Sequence, residues 1–202
     1  MSKLTVHGAK ISSAATSKSD IVVVPLFTGE DLSASASEVN TATGEVLQRA
    51  ISIGDADATL GKITTMVGSG NIARIMSVGC GDRSKFNLEA QLTVTSAMSR
   101  ALAASKAKNA IVVADSIATD KNTLTQFLEF LGRDVAMACY HYTATLGSPK
   151  PGPTFTKLTA AVDSISAAKA KQALAVGATI GSGANLTREL VNLPGNVCTP
   201  SY

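Results

Sequence analysis

The apolar positions of this chain change period several times, and each change marks an element. Residues 20–27 read Asp-Ile-Val-Val-Val-Pro-Leu-Phe, a short β-branched run bounded by polar residues. That is the pattern of a strand buried on both faces, and it predicts the first or second strand of a central sheet. Val39, Val46, Leu47, Ala50 and Ile51 then recur at helical spacing, which predicts one helix of about four turns. Its start is placed at Ser35, because Ser35 and Glu38 have the spacing of a reciprocal capping box. Residues 62–67 alternate weakly and end at Gly68, Ser69 and Gly70, while residues 73–78 rebuild an apolar run that ends at Gly79, Cys80 and Gly81. Two such strands joined by a glycine turn predict a hairpin.

Beyond the hairpin the period returns to that of a helix. From Asn87 on, Leu88, Leu92, Thr95, Met98 or Ser99, and Leu102 share one face, and residues 109–114 revert to a strand; a helix that feeds a buried strand predicts a parallel neighbour. Leu124, Phe127, Leu128, Leu131, Val135 and Cys139 define the clearest amphipathic helix, over residues 122–140, with Arg133 and Asp134 toward its other side. The prolines of residues 148–153 lack amide donors and force a loop before a strand at residues 156–162. Ser166 opens a final long helix with a stripe of small residues, Ala170, Ala173, Gly177, Gly181 and Ala184. Each glycine costs about 1 kcal/mol of helix propensity relative to alanine, so this helix should be packed closely against a neighbour. Pro194 and Gly195 end it near residues 190–193.

This order of elements predicts an α/β fold: a mixed, mostly buried central sheet with helices on both faces, followed by a long linker helix. A length of 202 residues suits one domain with a short extension. With 45% hydrophobic and 16% charged residues and no long like-charge run, the chain is expected to fold. The net charge of +3 is spread along the chain, which permits nucleic-acid binding without pointing to it, and 4% aromatics with no Trp leave few stacking platforms. Cys80, Cys139 and Cys198 form neither a disulfide framework nor a CxxC knuckle and read as reduced thiols. The first residues lack the apolar core of a signal peptide and no stretch approaches ~18 uninterrupted apolar residues, so a cytoplasmic protein with no membrane partner is expected.

Candidate chemistry is sparse. His7 and His141 are the two histidines, there is no HExxH helix and no GxSxG elbow, and surface or edge positions are expected for both imidazoles. The acid pairs Glu30 with Asp31 and Asp55 with Asp57 fall in turns, where capping or solvated roles are usual. Gly68 to Gly70 and Gly79 to Gly81 are the best candidates for backbone amides converging on a phosphate, but neither matches a phosphate-loop signature, and structural turns are the favoured reading of both. Cys80 would be reactive only beside a cation such as Arg83, and a small buried hydrophobe is the expected role. The residues themselves therefore assign no catalytic, cofactor-binding or metal-ligating side chain.

The closing run Thr187-Arg188-Glu189-Leu190-Val191-Asn192-Leu193-Pro194-Gly195-Asn196-Val197-Cys198-Thr199-Pro200 resembles the leucyl aminopeptidase (cytosol aminopeptidase) family, in which a helix ending in this motif opens the catalytic domain. Asn192, Pro194, Asn196, Thr199 and Pro200 match it, and the upstream order of elements is similar to that family's N-terminal domain. The resemblance implies a macro-domain-like sheet over residues 1–165, a linker helix over 166–193, and the start of a catalytic domain over 194–202. It implies a parent metallo-aminopeptidase using two divalent ions, zinc or manganese, in a homohexamer, with this segment serving assembly and access to the active site. The family's metal ligands and catalytic residues belong to motifs such as NTDAEGR that do not occur in this chain, so none is carried over. The stop at Ser201 and Tyr202, just past the motif, favours a portion of a longer enzyme over a freestanding module. Two alternatives are a macro-like module binding a nucleotide or ADP-ribose at the glycine turns, and DNA binding by the assembled oligomer, which the resemblance implies for some bacterial members.

Overall fold

The structure, a computed structural model, describes residues 4–117 and 120–199. Six strands form one sheet: β1 (Thr5–Lys10), β2 (Ile21–Leu26), β3 (Ile63–Val67), β4 (Arg74–Gly79), β5 (Asn109–Val113) and β6 (Lys157–Val162). Their order is β1-β6-β5-β2-β4-β3, with every neighbouring pair parallel except β3 with β4. The helices are α1 (Ser13–Thr16), α2 (Ala34–Ala42), α3 (Val46–Ser52), α4 (Leu88–Ala104), α5 (Lys121–Ala138) and α6 (Ala167–Asn192). The architecture is the mixed sheet between helix layers that the hydrophobic pattern predicts.

Successive residues of a strand point to opposite faces, and β2 shows why its run is continuously apolar. Ile21 and Val23 enter a core with Met98 and Leu102 of α4, Phe127 and Leu131 of α5 and Leu174 of α6. Val22 and Val24 enter a second core with Ala14 of α1, Val39 of α2 and Leu47 of α3. Both faces are covered, so no polar position survives in the strand.

Four features depart from the sequence expectations. First, β1 is an additional strand; it is a half-exposed edge that pairs in register with β6 from Thr5 with Lys157 to Lys10 with Val162, and it lacks the apolar run that marked the central strands. Second, the expected four-turn helix is two helices, broken where Gly44 and Glu45 take left-handed φ of 75° and 59°. The buried Asn40 side chain makes the break stable: its Oδ1 accepts from the Leu47 and Gln48 amides at 3.1 Å each, supplying the cap for α3. Third, the cap of α2 is Ser33, whose Oγ accepts from the Ala36 amide at 3.3 Å, so Ser35 and Glu38 form no capping box. Fourth, α4 buries Thr95, Met98, Ser99 and Leu102 of the expected face, but Leu88 at its start is 51% exposed, and Ala90, Gln91 and Val94 complete the buried side.

The small residues of α6 have a direct cause. A Cβ on Gly177 would lie 1.8 Å from the Glu129 carbonyl oxygen, one on Gly181 2.5 Å from that of Arg133, and one on Gly132 2.2 Å from that of Leu174. Backbone therefore meets backbone along the α5–α6 contact. The buried Asn185 continues it, its Nδ2 donating to the Ala136 carbonyl at 2.8 Å.

Candidate functional site: the cleft at the sheet's switch point

The chain leaves β2 toward α2 and α3 on one face, and leaves β4 toward α4 on the other. These two strands are neighbours, so their outgoing loops diverge and open a crevice at the carboxyl ends, the place where ligands settle in open α/β sheets. A cleft of about 580 Å³ lies there. Its walls include Phe27, Glu30, Asp31 and Leu32 after β2, Gln48 and Ile51 of α3, and Asp57 and Thr59 before β3.

Acids that fall in separate turns of the sequence are thus brought together: Glu30, Asp31 and Asp57 share one cleft. Arg83 grips Glu30 with two bonds, Nε to Oε1 at 2.6 Å and Nη2 to Oε2 at 2.8 Å, and donates a third to the Ser116 carbonyl at 3.1 Å. Its guanidinium also lies 3.7 Å from the centre of the Phe27 ring. One side chain therefore ties together the ends of three strands. The Arg83 bond holds the Glu30 carboxyl below its usual range. Lys62 Nζ, 2.6 Å from Asp57 Oδ2, and then the Thr59 amide lower the Asp57 carboxyl to about 2. A depressed carboxyl adds stability that is complete above its unfolded value and is lost as pH falls toward its folded one, so Asp57 stays ionised at neutral pH.

The glycines beside the cleft serve the turn rather than an anion. The Gly79 amide donates to Lys62 O, that of Cys80 to Leu26 O and that of Gly81 to Ala58 O, at 2.7 to 2.8 Å, so all three donors are used. A Cβ on Gly79 would sit 2.0 Å from Thr59 O, and Gly81 needs a φ of 72°. The Gly68 to Gly70 turn lies at the opposite end of β4, where a Cβ on Gly68 would meet Ile72 O at 2.3 Å. With these amides already donating within the fold, the Gly79 to Gly81 turn has no free donor to offer a phosphate.

The remaining candidates stand apart from the cleft. His7 is exposed on β1, and His141 follows α5, with its Nε2 2.7 Å from the Lys150 carbonyl oxygen. Cys80 is buried, and burial pushes its thiol up to about 12, while Cys139 is pushed up to about 11 for the same reason. Both are therefore almost wholly protonated near pH 8 in the folded state, and a chromogenic disulfide reagent should modify the part-exposed Cys198 quickly and the other two only after denaturant is added. Rapid reaction of all three thiols in native buffer would contradict this packing.

Among the described residues no group of three or more His, Cys, Asp or Glu is placed to hold a metal ion, so the divalent ions implied by the resemblance do not fit these side chains. None of the described helices is long and apolar enough to cross a membrane. Of the closing motif, Asn192 ends α6 and its Nδ2 donates to Tyr140 Oη at 3.2 Å, while Tyr140 donates to Glu189 Oε2 at 3.0 Å. Pro194, Asn196 and Thr199 follow the helix. Pro200, Ser201 and Tyr202 lie outside the described residues.

The comparisons with known proteins agree with this architecture. The profile of the cytosol aminopeptidase family, N-terminal domain, matches residues 23–148. Probable cytosol aminopeptidases of Burkholderia ambifaria and Burkholderia lata are 30% and 31% identical to the chain over 190 residues, covering 93% of it and 38% of each relative. The chain thus spans well under half the length of these relatives. Among solved structures, a tomato leucine aminopeptidase mutant superposes with a TM-score of 0.75 at 17% identity, covering 98% of this chain and 40% of that one. The bottromycin maturation enzyme BotP superposes with a TM-score of 0.65 at 17% identity over 91% of this chain and 35% of its own. These likenesses concern the fold, whereas the profile match extends over most of the sequence and across both cores: the chain belongs to the cytosol aminopeptidase family and carries its N-terminal domain.

Proposed function

We propose that this chain is the non-catalytic N-terminal portion of a metal-dependent leucyl aminopeptidase, which releases N-terminal residues from peptides with water activated by two divalent ions. The observation that carries this is the match of the family's N-terminal-domain profile over residues 23–148. Residues 1–165 form the domain proper, 166–193 a helix linking it to the catalytic domain, and 194–202 the start of that domain. Zinc or manganese is held outside these residues; one solved neighbour is BotP in complex with Mn. The likeness to Burkholderia cytosol aminopeptidases and the three free thiols support a cytosolic setting. There the segment contributes to a homo-oligomer, a hexamer by resemblance, and to limiting access to its active sites. The bonded amides of the Gly79 to Gly81 turn lend the nucleotide alternative no support, and DNA binding rests only on the resemblance and the mild positive charge.

The 202-residue chain incubated with a chromogenic leucyl amide and manganese should hydrolyse it no faster than a metal-only blank. Turnover comparable to that of the full-length Burkholderia lata relative would overturn the assignment.

A further inference from the structure

The two halves of α6 are held by different means. As far as Gly181 the helix lies backbone to backbone on α5, and a Cβ on Gly177 or Gly181 would strike the Glu129 or Arg133 carbonyl. Further on the apolar packing thins: a Cβ on Gly183 would meet nothing within 4 Å, and Leu186, Leu190 and Val191 are exposed. A helix end with so few apolar contacts ordinarily frays. Here polar side chains take over the contact.

Asn185 and Arg188 reach from α6 to the last turn of α5, where the carbonyls have no partner of the usual helical kind. Asn185 Nδ2 donates to Ala136 O at 2.8 Å, and Arg188 Nη1 donates to Met137 O at 3.1 Å and to Asn185 Oδ1 at 3.2 Å. A guanidinium also suits the negative end of the α5 dipole. The segment after α5 reaches back. Tyr140 Oη donates to Glu189 Oε2 at 3.0 Å and accepts from Asn192 Nδ2 at 3.2 Å, while Tyr142 Oη donates at 3.0 Å to Asn192 O, the last carbonyl of α6. The end of each helix is thus capped from the neighbouring element.

We infer that this reciprocal capping is a conformational device that fixes the direction in which the chain leaves the domain, with Tyr140, Tyr142 and Arg188 as positioning residues. The rigid part extends to Asn192, and the first pivot is the Leu193-Pro194-Gly195 step. Leu193 is extended, with φ −72° and ψ 135°, as proline requires of the residue before it, and a Cβ on Gly195 would meet nothing within 4 Å. The capping acts on the closing motif itself, through Arg188, Glu189 and Asn192. A domain that follows is thereby held at a set angle instead of swinging on a frayed helix end. That purpose rests on the non-catalytic reading proposed above; the capping does not, and its test involves no hydrolysis.

Residue-resolved hydrogen exchange of the 202-residue chain tests the device. The amides of residues 189–192 should exchange at least about tenfold more slowly than an open chain, and those of residues 195–199 close to the open-chain rate. The double variant Tyr140→Phe, Tyr142→Phe removes both hydroxyls and should abolish that protection at residues 189–192 while leaving residues 173–181 as protected as before, a split that a general loss of stability would not produce. Should the double variant fail to fold, Asn192→Ala at an exposed position removes one Tyr140 bond and should speed exchange at residues 190–192 severalfold. Open-chain exchange of residues 189–192 in the wild-type chain overturns the inference, and so does protection that survives these substitutions. Neither outcome bears on the leucyl amide assay, so the two readings fail separately.

Discussion

Gly177→Ala should lower the melting temperature by several degrees, although alanine is the better helix former. The added methyl would sit 1.8 Å from Glu129 O and 2.8 Å from the Arg133 amide nitrogen. Both are backbone atoms of α5, so no rotamer change relieves the overlap and the two helices must separate. Separation also loosens the close approaches at Gly132 and Gly181. Overpacking of this kind costs about 3 kcal/mol or more, against about 1 kcal/mol of improved propensity. The net loss of about 2 kcal/mol corresponds to roughly 4–8 °C for a chain of this size. Gly183→Ala is the internal control: nothing lies near its Cβ, so at low protein concentration it should stabilise by about 0.5–1 kcal/mol. Thermal melts of the two variants with the same sign of shift would show that the α5–α6 contact is not as described.

Phe127→Ala should cost more, about 3–5 kcal/mol in a denaturant titration. Phe127 is fully buried on α5 in the larger core, among residues of β2, β5, β6, α4 and α6. Removing the ring leaves a cavity walled by several elements, none of which can collapse alone. Phe130, one turn on and only half-buried, sits beneath Arg133 with the guanidinium 5.1 Å from its ring centre. Its replacement by alanine should cost about 1 kcal/mol. Equal losses at the two sites would place the core on the wrong face of α5.

Where burial acts on a continuous segment, the sequence was legible. β2, β5 and α5 were readable because each is paired with the core along its length, so the solvent boundary imprints one period. The stripe on α6 was readable because steric exclusion at a helix contact selects glycine and alanine at every turn. β1 was not, because an edge strand with one neighbour is selected for pairing rather than for apolar content. The break between α2 and α3 escaped because the apolar spacing runs on through it; its signal was the Thr43-Gly44 pair and a buried asparagine acting as a cap seven residues downstream.

The candidate site divides in the same way. The family motif near the end of α6 and the scarcity of histidine and clustered acid are properties of local sequence, and they set the expectation of a domain with no catalytic group of its own. The cleft was invisible, since Glu30, Asp31 and Asp57 come together only when β2 and β4 lie side by side with their loops turned to opposite faces. What the sequence determined by itself was the succession of elements, the close-packed character of α6 and the family. Only the tertiary structure decided where the acids converge, that the amides of the Gly79 to Gly81 turn are already occupied, and which side of α6 is left bare. These depend on contacts between residues far apart in the chain, and no local period records such contacts.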